Sequence, residues 1–254
     1  MIHIDLKDQN ILVTGASDGI GYEIASYLMK MGANVGVHYF NNKNAAQSLI
    51  EQYPDTGSHI FQADFELTSE VERFWQEVED TFKHIDAIVL NAGVFLKQPI
   101  EDSVKDWYDI WRQTMHINLD APALLTKFGI NHFKKQEGGR FIYIASRAVF
   151  RGETNEYLAY AASKGGLVSL ARSVARSFGK LNIKSFIIAP GFVKTKMAEQ
   201  FIEDHGSQMI LDEIALNELT TPKDISPLVA LMCIGAMDHT TGATIDLNAG
   251  SHIR

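Results

Sequence analysis

Short β-branched runs alternate with longer amphipathic stretches along the whole chain, and this alternation narrows the possible folds more than any other feature. Strands are expected at 11–14, 34–39, 60–63, 87–90, 141–145, 185–189 and 244–247. Helical periodicity fills 20–31, 44–53, 69–82, 107–135, 157–178 and 224–237. The strand runs are apolar almost without interruption, so each must be covered on both faces. Such strands separated by helices form a parallel sheet flanked by helices. The expected fold class is α/β, a doubly wound sheet. The 254 residues suffice for one such domain over 1–254.

In sheets of this kind ligands bind beyond the carboxyl ends of the strands. The polar and glycine signals fall there. Thr14-Gly15-Ala16-Ser17-Asp18-Gly19-Ile20-Gly21 follows the first strand and opens the first helix. Glycines let backbone approach a phosphate, and a helix N-terminus favours its negative charge. Asp64 follows the third strand, Asn91-Ala92-Gly93 the fourth, Ser146 the fifth and Pro190-Gly191 the sixth. Each alone is explicable as a turn or a cap. Five at five strand ends point to a dinucleotide site.

Tyr160 and Lys164 stand four residues apart, with Ser146 fourteen positions before the tyrosine. On a helix, residues so spaced share a face. A free tyrosine has a pKa of about 10, too high for acid–base work near neutrality. One ammonium about 4 Å away, at an effective dielectric near 20, supplies roughly the 4 kcal/mol needed to lower it by about three units. The pattern is common, and Tyr39 and Lys43 repeat it. That pair follows a strand-like run and flanks Asn41-Asn42, a turn signal, so it reads as structural.

With these motifs the chain resembles the short-chain dehydrogenase/reductase family over nearly its whole length. The residues that carry the resemblance are 14–21, Asp64, Asn91-Ala92-Gly93, Asn118, Ser146, Tyr160, Lys164, Pro190-Gly191 and Thr195. The resemblance implies a Rossmann-like domain with a seven-stranded parallel sheet, a nicotinamide cofactor and a homotetramer. It implies Tyr160 as general acid in carbonyl reduction and general base in alcohol oxidation. Ser146 is then the hydrogen-bond partner of the reacting oxygen, and Lys164 lowers the phenol's pKa and holds the nicotinamide ribose. Asn118 distorts a helix enough for a water relay. Gly15, Ser17, Asp18, Ile20 and Gly21 line the pyrophosphate and ribose side. Asp64 and Phe65 flank adenine, with the Asp64 carboxylate accepting from its amine. Asn91, Ala92 and Gly93 approach the adenosine ribose. Pro190, Gly191, Val193 and Thr195 meet the nicotinamide or a diphosphate oxygen. One departure stands out: the family's serine usually lies thirteen residues before the tyrosine, and the extra residue here falls within 147–156.

An NAD site of this type usually carries an acid about twenty residues past the glycine motif. Here the second strand ends in Tyr39-Phe40-Asn41-Asn42-Lys43, with no acid until Glu51. NADP(H) is favoured, with Tyr39, Asn41 and Asn42 at the adenosine ribose, and NAD(H) is possible. Asp18 argues the other way, because a carboxylate there would repel a 2′-phosphate unless it turns away; its other reading is helix N-terminal complementarity.

The substrate cover is expected at 193–221, with Met197, Phe201, Ile202, Met209, Ile210 and Leu211 interleaved with acids. The nearest resemblance within the family is to 3-oxoacyl-carrier-protein reductases, which implies a small-molecule or acyl-thioester carbonyl substrate. Carrier docking needs basic residues, and the positions aligned with the docking arginines hold Glu137 and Leu181. Lys134, Lys135 and Lys180 are nearby. The alternatives are a sugar, polyol or steroid dehydrogenase of the same family, or a dinucleotide-binding redox sensor without chemistry.

The net charge of −8 argues against a nucleic-acid partner. No segment has the apolar length to span a bilayer, and no secretory signal opens the chain; a cytoplasmic protein is expected. Cys233 is the single cysteine, in an apolar run, and reads as a packing residue.

Overall fold

A computed structural model describes residues 4–195 and 207–253. Seven strands, β1 (Asn10–Val13), β2 (Asn34–Tyr39), β3 (His59–Gln62), β4 (Ala87–Leu90), β5 (Gly139–Ile144), β6 (Ile183–Pro190) and β7 (Thr244–Leu247), form one sheet. Their order is β3-β2-β1-β4-β5-β6-β7, and every pairing is parallel. The order reverses between β1 and β4, which makes the crevice above those two strands the place where a ligand enters.

Helices α1 (Gly19–Lys30), α2 (Lys43–Glu51), α3 (Thr68–Phe82), α4 (Val104–Met115), α5 (Ala121–Lys135), α6 (Ala148–Arg151), α7 (Leu158–Phe178), α8 (Ser207–Asp212) and α9 (Pro222–Cys233) complete the described fold. Successive strand side chains point to opposite faces, and the sheet has a core on each. Ile11, Val13, Val35, Val37, Val89 and Ile142 pack under Ile24, Leu28, Val229 and Met232 of α1 and α9. Leu12, Phe61, Ile88, Phe141 and Tyr143 pack under residues of α3, α5 and α7, among them Phe74, Phe133 and Leu167. Two faces covered by helices explain why the strands read as continuous apolar runs rather than alternating ones.

The seven expected strands and six helical stretches are present, with ends displaced by a few residues. The displacements have local causes. Asp18 accepts from Gly19 N–H at 2.7 Å and starts α1 one residue early. Thr221 and Asp224 form a capping box before Pro222, which moves the start of α9 forward. That helix ends at Cys233 rather than 237, because the chain turns at Gly235 with φ of 80°. Cys233 is fully buried and burial pushes its thiol up to about 12, so it is a packing residue as expected. The stretch 107–135 is not one regular helix: a π turn at His116–Asp120 separates α4 from α5.

Gly129 on α5 shows how closely this layer meets the sheet. A Cβ there would stand 2.7 Å from Ile88 Cδ1 and 2.8 Å from two ring carbons of Phe141. Gly129→Ala is therefore expected to destabilise the protein by about 1–3 kcal/mol through overpacking. Thermal unfolding checks this, at roughly 2–4 °C per kcal/mol for a chain of this size.

Candidate active site

The glycine turn between β1 and α1 is built so that no side chain can fill it. Gly15 has φ of 63°, and a Cβ on it would lie 2.8 Å from Ala92 Cα. At Gly21 a Cβ would lie 2.2 Å from Gly15 O and 2.4 Å from Asn91 Nδ2. Asn91 locks the turn from β4: its Nδ2 donates to Thr14 O at 2.9 Å and to Gly15 O at 3.0 Å. Thr14 Oγ1 in return accepts from Asn91 N–H at 2.9 Å and Ala92 N–H at 3.0 Å. The first turn of α1 carries no acid, and Asp18 faces the N–H of Gly19. A bare backbone cradle leading into a helix N-terminus fits the phosphates of a dinucleotide. Ser17 and Ile20 lie on the same turn, both partly exposed.

His38 belongs to this region and was not anticipated. It is buried in β2, with Nδ1 accepting from Gly15 N–H at 2.9 Å and Nε2 3.2 Å from Ala63 O. These partners require a neutral imidazole with its proton on Nε2, donating to Ala63. Burial holds its pKa down to about 4. The ring stacks on Phe65 with centroids 4.0 Å apart and 4° between planes. Phe65 thus turns its ring inward, so only its backbone faces a ligand. The one sequence signal for His38 is an imidazole inside an otherwise apolar strand.

Asp64 is partly exposed, and its Oδ1 accepts from Glu66 N–H at 2.9 Å. Tyr39 is buried at the end of β2, and Asn41, Asn42 and Lys43 are exposed. Asn42 caps α2 by accepting from Ala45 N–H at 3.2 Å. Tyr39 ends a strand and Lys43 begins a helix, so their four-residue spacing puts them on no common face. The last strand ends complete the cleft. Pro190 O accepts from Arg147 N–H and Gly191 N–H donates to Leu247 O, both at 2.9 Å. Val193 bridges to Thr220. Thr195 reaches the glycine turn, its Cγ2 3.4 Å from where a Cβ of Gly19 would be. Met197, Phe201 and Ile202 lie outside the described residues, as do the side chains of Met209 and Ile210.

Across the cleft, Ser146, Tyr160, Lys164 and Asn118 come together. Ser146 at the end of β5 lies close enough to the Tyr160 phenol on α7 to draw its pKa down, and its Oγ accepts from Ala148 N–H at 3.1 Å. The extra residue between them does not separate them. The segment 147–156 is not an open loop: it winds into α6 and turns at Gly152 with φ of 79°. Its far end is pinned by Gln98 N–H donating to Glu156 O at 2.7 Å. Lys164 is buried, with Nζ donating to Ile144 O at 2.9 Å and standing 5.9 Å from the centre of the Tyr160 ring. A Cβ on Gly93 would stand 3.1 Å from Asn118 Oδ1 and 3.3 Å from Lys164 Nζ, so Gly93 borders the lysine rather than the glycine turn. Asn118 lies in the π turn and is fully buried.

The electrostatics differ from the spacing argument. Burial pushes the Tyr160 phenol up to about 12, with Ser146 working against it and Glu153 adding to the rise. Burial also pulls Lys164 down to about 8. Both groups lose hydration in the same cleft, and desolvation disfavours phenolate and ammonium alike.

A glycine turn that fits a dinucleotide, with a serine, a tyrosine and a lysine grouped at the neighbouring strand ends, is the arrangement expected of a nicotinamide-dependent oxidoreductase. A protein-family model described as Enoyl-(Acyl carrier protein) reductase matches residues 15–252. A hydroxynaphthalene reductase-like protein of Metarhizium majus is 31% identical over 94% of this chain and 93% of its own length. A 3-oxoacyl-acyl-carrier-protein reductase of Staphylococcus epidermidis is 29% identical, covering 97% of this chain and 100% of its own. The crystal structure of a dehydrogenase/reductase from Sinorhizobium meliloti superposes with a TM-score of 0.87 at 28% identity, over 99% of this chain and 98% of the other. The chain belongs to the short-chain dehydrogenase/reductase family, whose members bind NAD(P)(H) and interconvert carbonyl and alcohol groups. Among the described residues no helix is long and apolar enough to cross a membrane.

His38 supplies a pH test. Unfolded, it takes a proton near 6.5; folded, it resists until about 4. Between these values the unfolded chain binds one more proton, so stability falls as pH falls, by about 3 kcal/mol across the window. In His38→Asn the slope of unfolding free energy against pH, from denaturant titrations between those limits, is expected to drop by one proton.

Proposed function

We propose that this protein reduces a carbonyl compound to a secondary alcohol, with NADP(H) preferred over NAD(H). The grouping of Ser146 and Tyr160 beside Lys164, whose Nζ stands 5.9 Å from the centre of the Tyr160 ring and borders Gly93, carries this reading. Tyr160 gives its phenolic proton to the carbonyl oxygen. Ser146 holds that oxygen and stabilises the charge growing on it. When bound, the reduced nicotinamide supplies the hydride that adds to the carbonyl carbon. Lys164 orients the nicotinamide ribose and, through water near Asn118, restores the phenol's proton.

Three features support NADP(H). The second strand ends without an acid, Lys43 is exposed at the start of α2, and the Asp18 carboxylate is engaged as a helix cap. The full-length likeness to a 3-oxoacyl-acyl-carrier-protein reductase supports acyl-thioester carbonyls among the substrates. Recognition of an acidic carrier is weakly supported. Leu181 is exposed, Lys135 pairs with Glu79 at 3.5 Å, and Lys134 lies over the Phe178 ring at 5.2 Å. The family resemblance supports a cytoplasmic homotetramer, and the exposed Val104 and Tyr108 of α4 give such an assembly an apolar face.

NADPH consumption against a panel of ketones, aldehydes and acyl-thioesters tests the activity. Tyr160→Phe is expected to lower kcat by roughly 100- to 10,000-fold while NADPH still binds. Undiminished turnover removes Tyr160 as the acid, and binding without turnover in the parent protein points to a sensor. For the cofactor, Lys43→Ala is expected to weaken NADPH binding by about tenfold, the loss of one charge-assisted hydrogen bond, and to leave NADH binding unchanged. An equal loss for both dinucleotides, or tighter NADH binding in the parent, refutes the preference.

A further inference from the structure

Arg147 directly follows Ser146, and adjacent Cα atoms lie about 3.8 Å apart. Its side chain is only 7% exposed, and Nη2 donates to Glu213 Oε2 at 3.1 Å. Nη1 is buried and finds no acceptor among the described residues. Arg151, one helical turn on, donates Nη1 to the same Glu213 oxygen, also at 3.1 Å. Two guanidiniums thus share one oxygen of one carboxylate. Arg147 N–H donates to Pro190 O at 2.9 Å, which holds the residue between the strand ends of β5 and β6 that border the cleft.

A buried guanidinium N–H without an acceptor is destabilising and calls for an explanation. The charge balance points the same way. Glu213 is the one carboxylate hydrogen-bonded to both guanidiniums among the described residues, and burial pushes the Glu153 carboxyl up. The chain as a whole carries −8, yet here two guanidiniums share one carboxylate oxygen. The planar donor fork of arginine matches a carboxylate and makes its strongest hydrogen bonds where water is excluded.

We propose that the substrate is an oxo carboxylic acid, and that Arg147 receives its carboxylate through Nη1 while Ser146 and Tyr160 hold its carbonyl. Glu213, directly after α8, holds Nη2 of the same guanidinium and so competes with the substrate for its charge. The inference rests on the reading of the site as a carbonyl reductase and names the substrate class for it. The reaction balances as written for that activity: a hydride to the carbonyl carbon, a proton from Tyr160 to the oxygen, and the carboxylate unchanged.

The test compares each of 2-oxobutanoate, 3-oxobutanoate and 4-oxopentanoate with its own methyl ester, reading NADPH consumption. In the parent protein at least one acid is expected to exceed its ester in kcat/KM by about tenfold or more. Arg147→Gln is expected to bring that ratio close to one. Glu213→Gln removes the competitor and is expected to raise the ratio by about threefold, a gain that a damaged fold cannot produce. The proposal is overturned if no acid is preferred at any chain length, if the ratio survives Arg147→Gln, or if Glu213→Gln lowers it. Titration of the NADP-loaded protein with 3-hydroxybutanoate and its methyl ester repeats the comparison without turnover, and ester binding as tight as the acid's also overturns it. Turnover of esters and simple ketones without acid preference refutes the oxo-acid inference alone. A protein that binds NADPH and reduces no carbonyl compound refutes the underlying reductase reading.

Discussion

The side-chain amide of Asn118 ties together three segments that would otherwise be independent. Its Oδ1 accepts from Val94 N–H at 2.7 Å, and its Nδ2 donates to Val94 O at 2.9 Å and to Ser163 Oγ at 3.1 Å. Ser163 Oγ donates in turn to Tyr160 O at 2.8 Å. One fully buried amide thereby links the loop after β4, the junction of α4 and α5, and the helix carrying the tyrosine and lysine. A buried amide left unpaired would cost about 1–3 kcal/mol, so the three segments are held in one register. The π turn is the local consequence: an extra residue per turn is what lets Asn118 face the loop.

The glycine turn depends on a lock of the same kind. Asn91 and Thr14 exchange hydrogen bonds across the β1–β4 crevice, and His38 takes the Gly15 N–H from the other side. The two halves of the site are therefore each fixed by buried polar side chains at strand ends, and the loop 91–94 belongs to both. Asn91 faces the phosphate turn, while Gly93 backs onto Lys164. Geometry on one side of the cleft cannot shift without moving the other.

Much of this was legible in the sequence, because apolar runs and strand-end polar residues obey strong local rules. All seven strands were placed, and Tyr160/Lys164 was separated from Tyr39/Lys43 by the elements around them. What stayed hidden depends on contacts distant in the chain. His38 has meaning only once β3 brings Ala63 and Phe65 against it. The π turn leaves no mark on helical periodicity, and only the family resemblance at Asn118 points to a distorted helix there. Arg147 carries no signal of its own in the sequence, because its partner Glu213 lies sixty-six residues later. The four-residue spacing conveys the field of the Lys164 ammonium but not desolvation, which here acts on both members of the pair.

Desolvation bears on the direction of the reaction. A phenol held near 12 stays loaded with its proton at every physiological pH. Carbonyl reduction needs a loaded donor, and the alkoxide that forms as hydride arrives is more basic than a phenolate, so the transfer runs downhill. Alcohol oxidation needs the opposite, a phenolate ready to accept, and burial makes that form scarce. Lys164, pulled down to about 8, remains largely an ammonium near neutrality, able to return a proton to a phenolate once formed. The desolvation that works against an activated base thus suits a reductase, with Ser146 offsetting part of the cost of the transient anion.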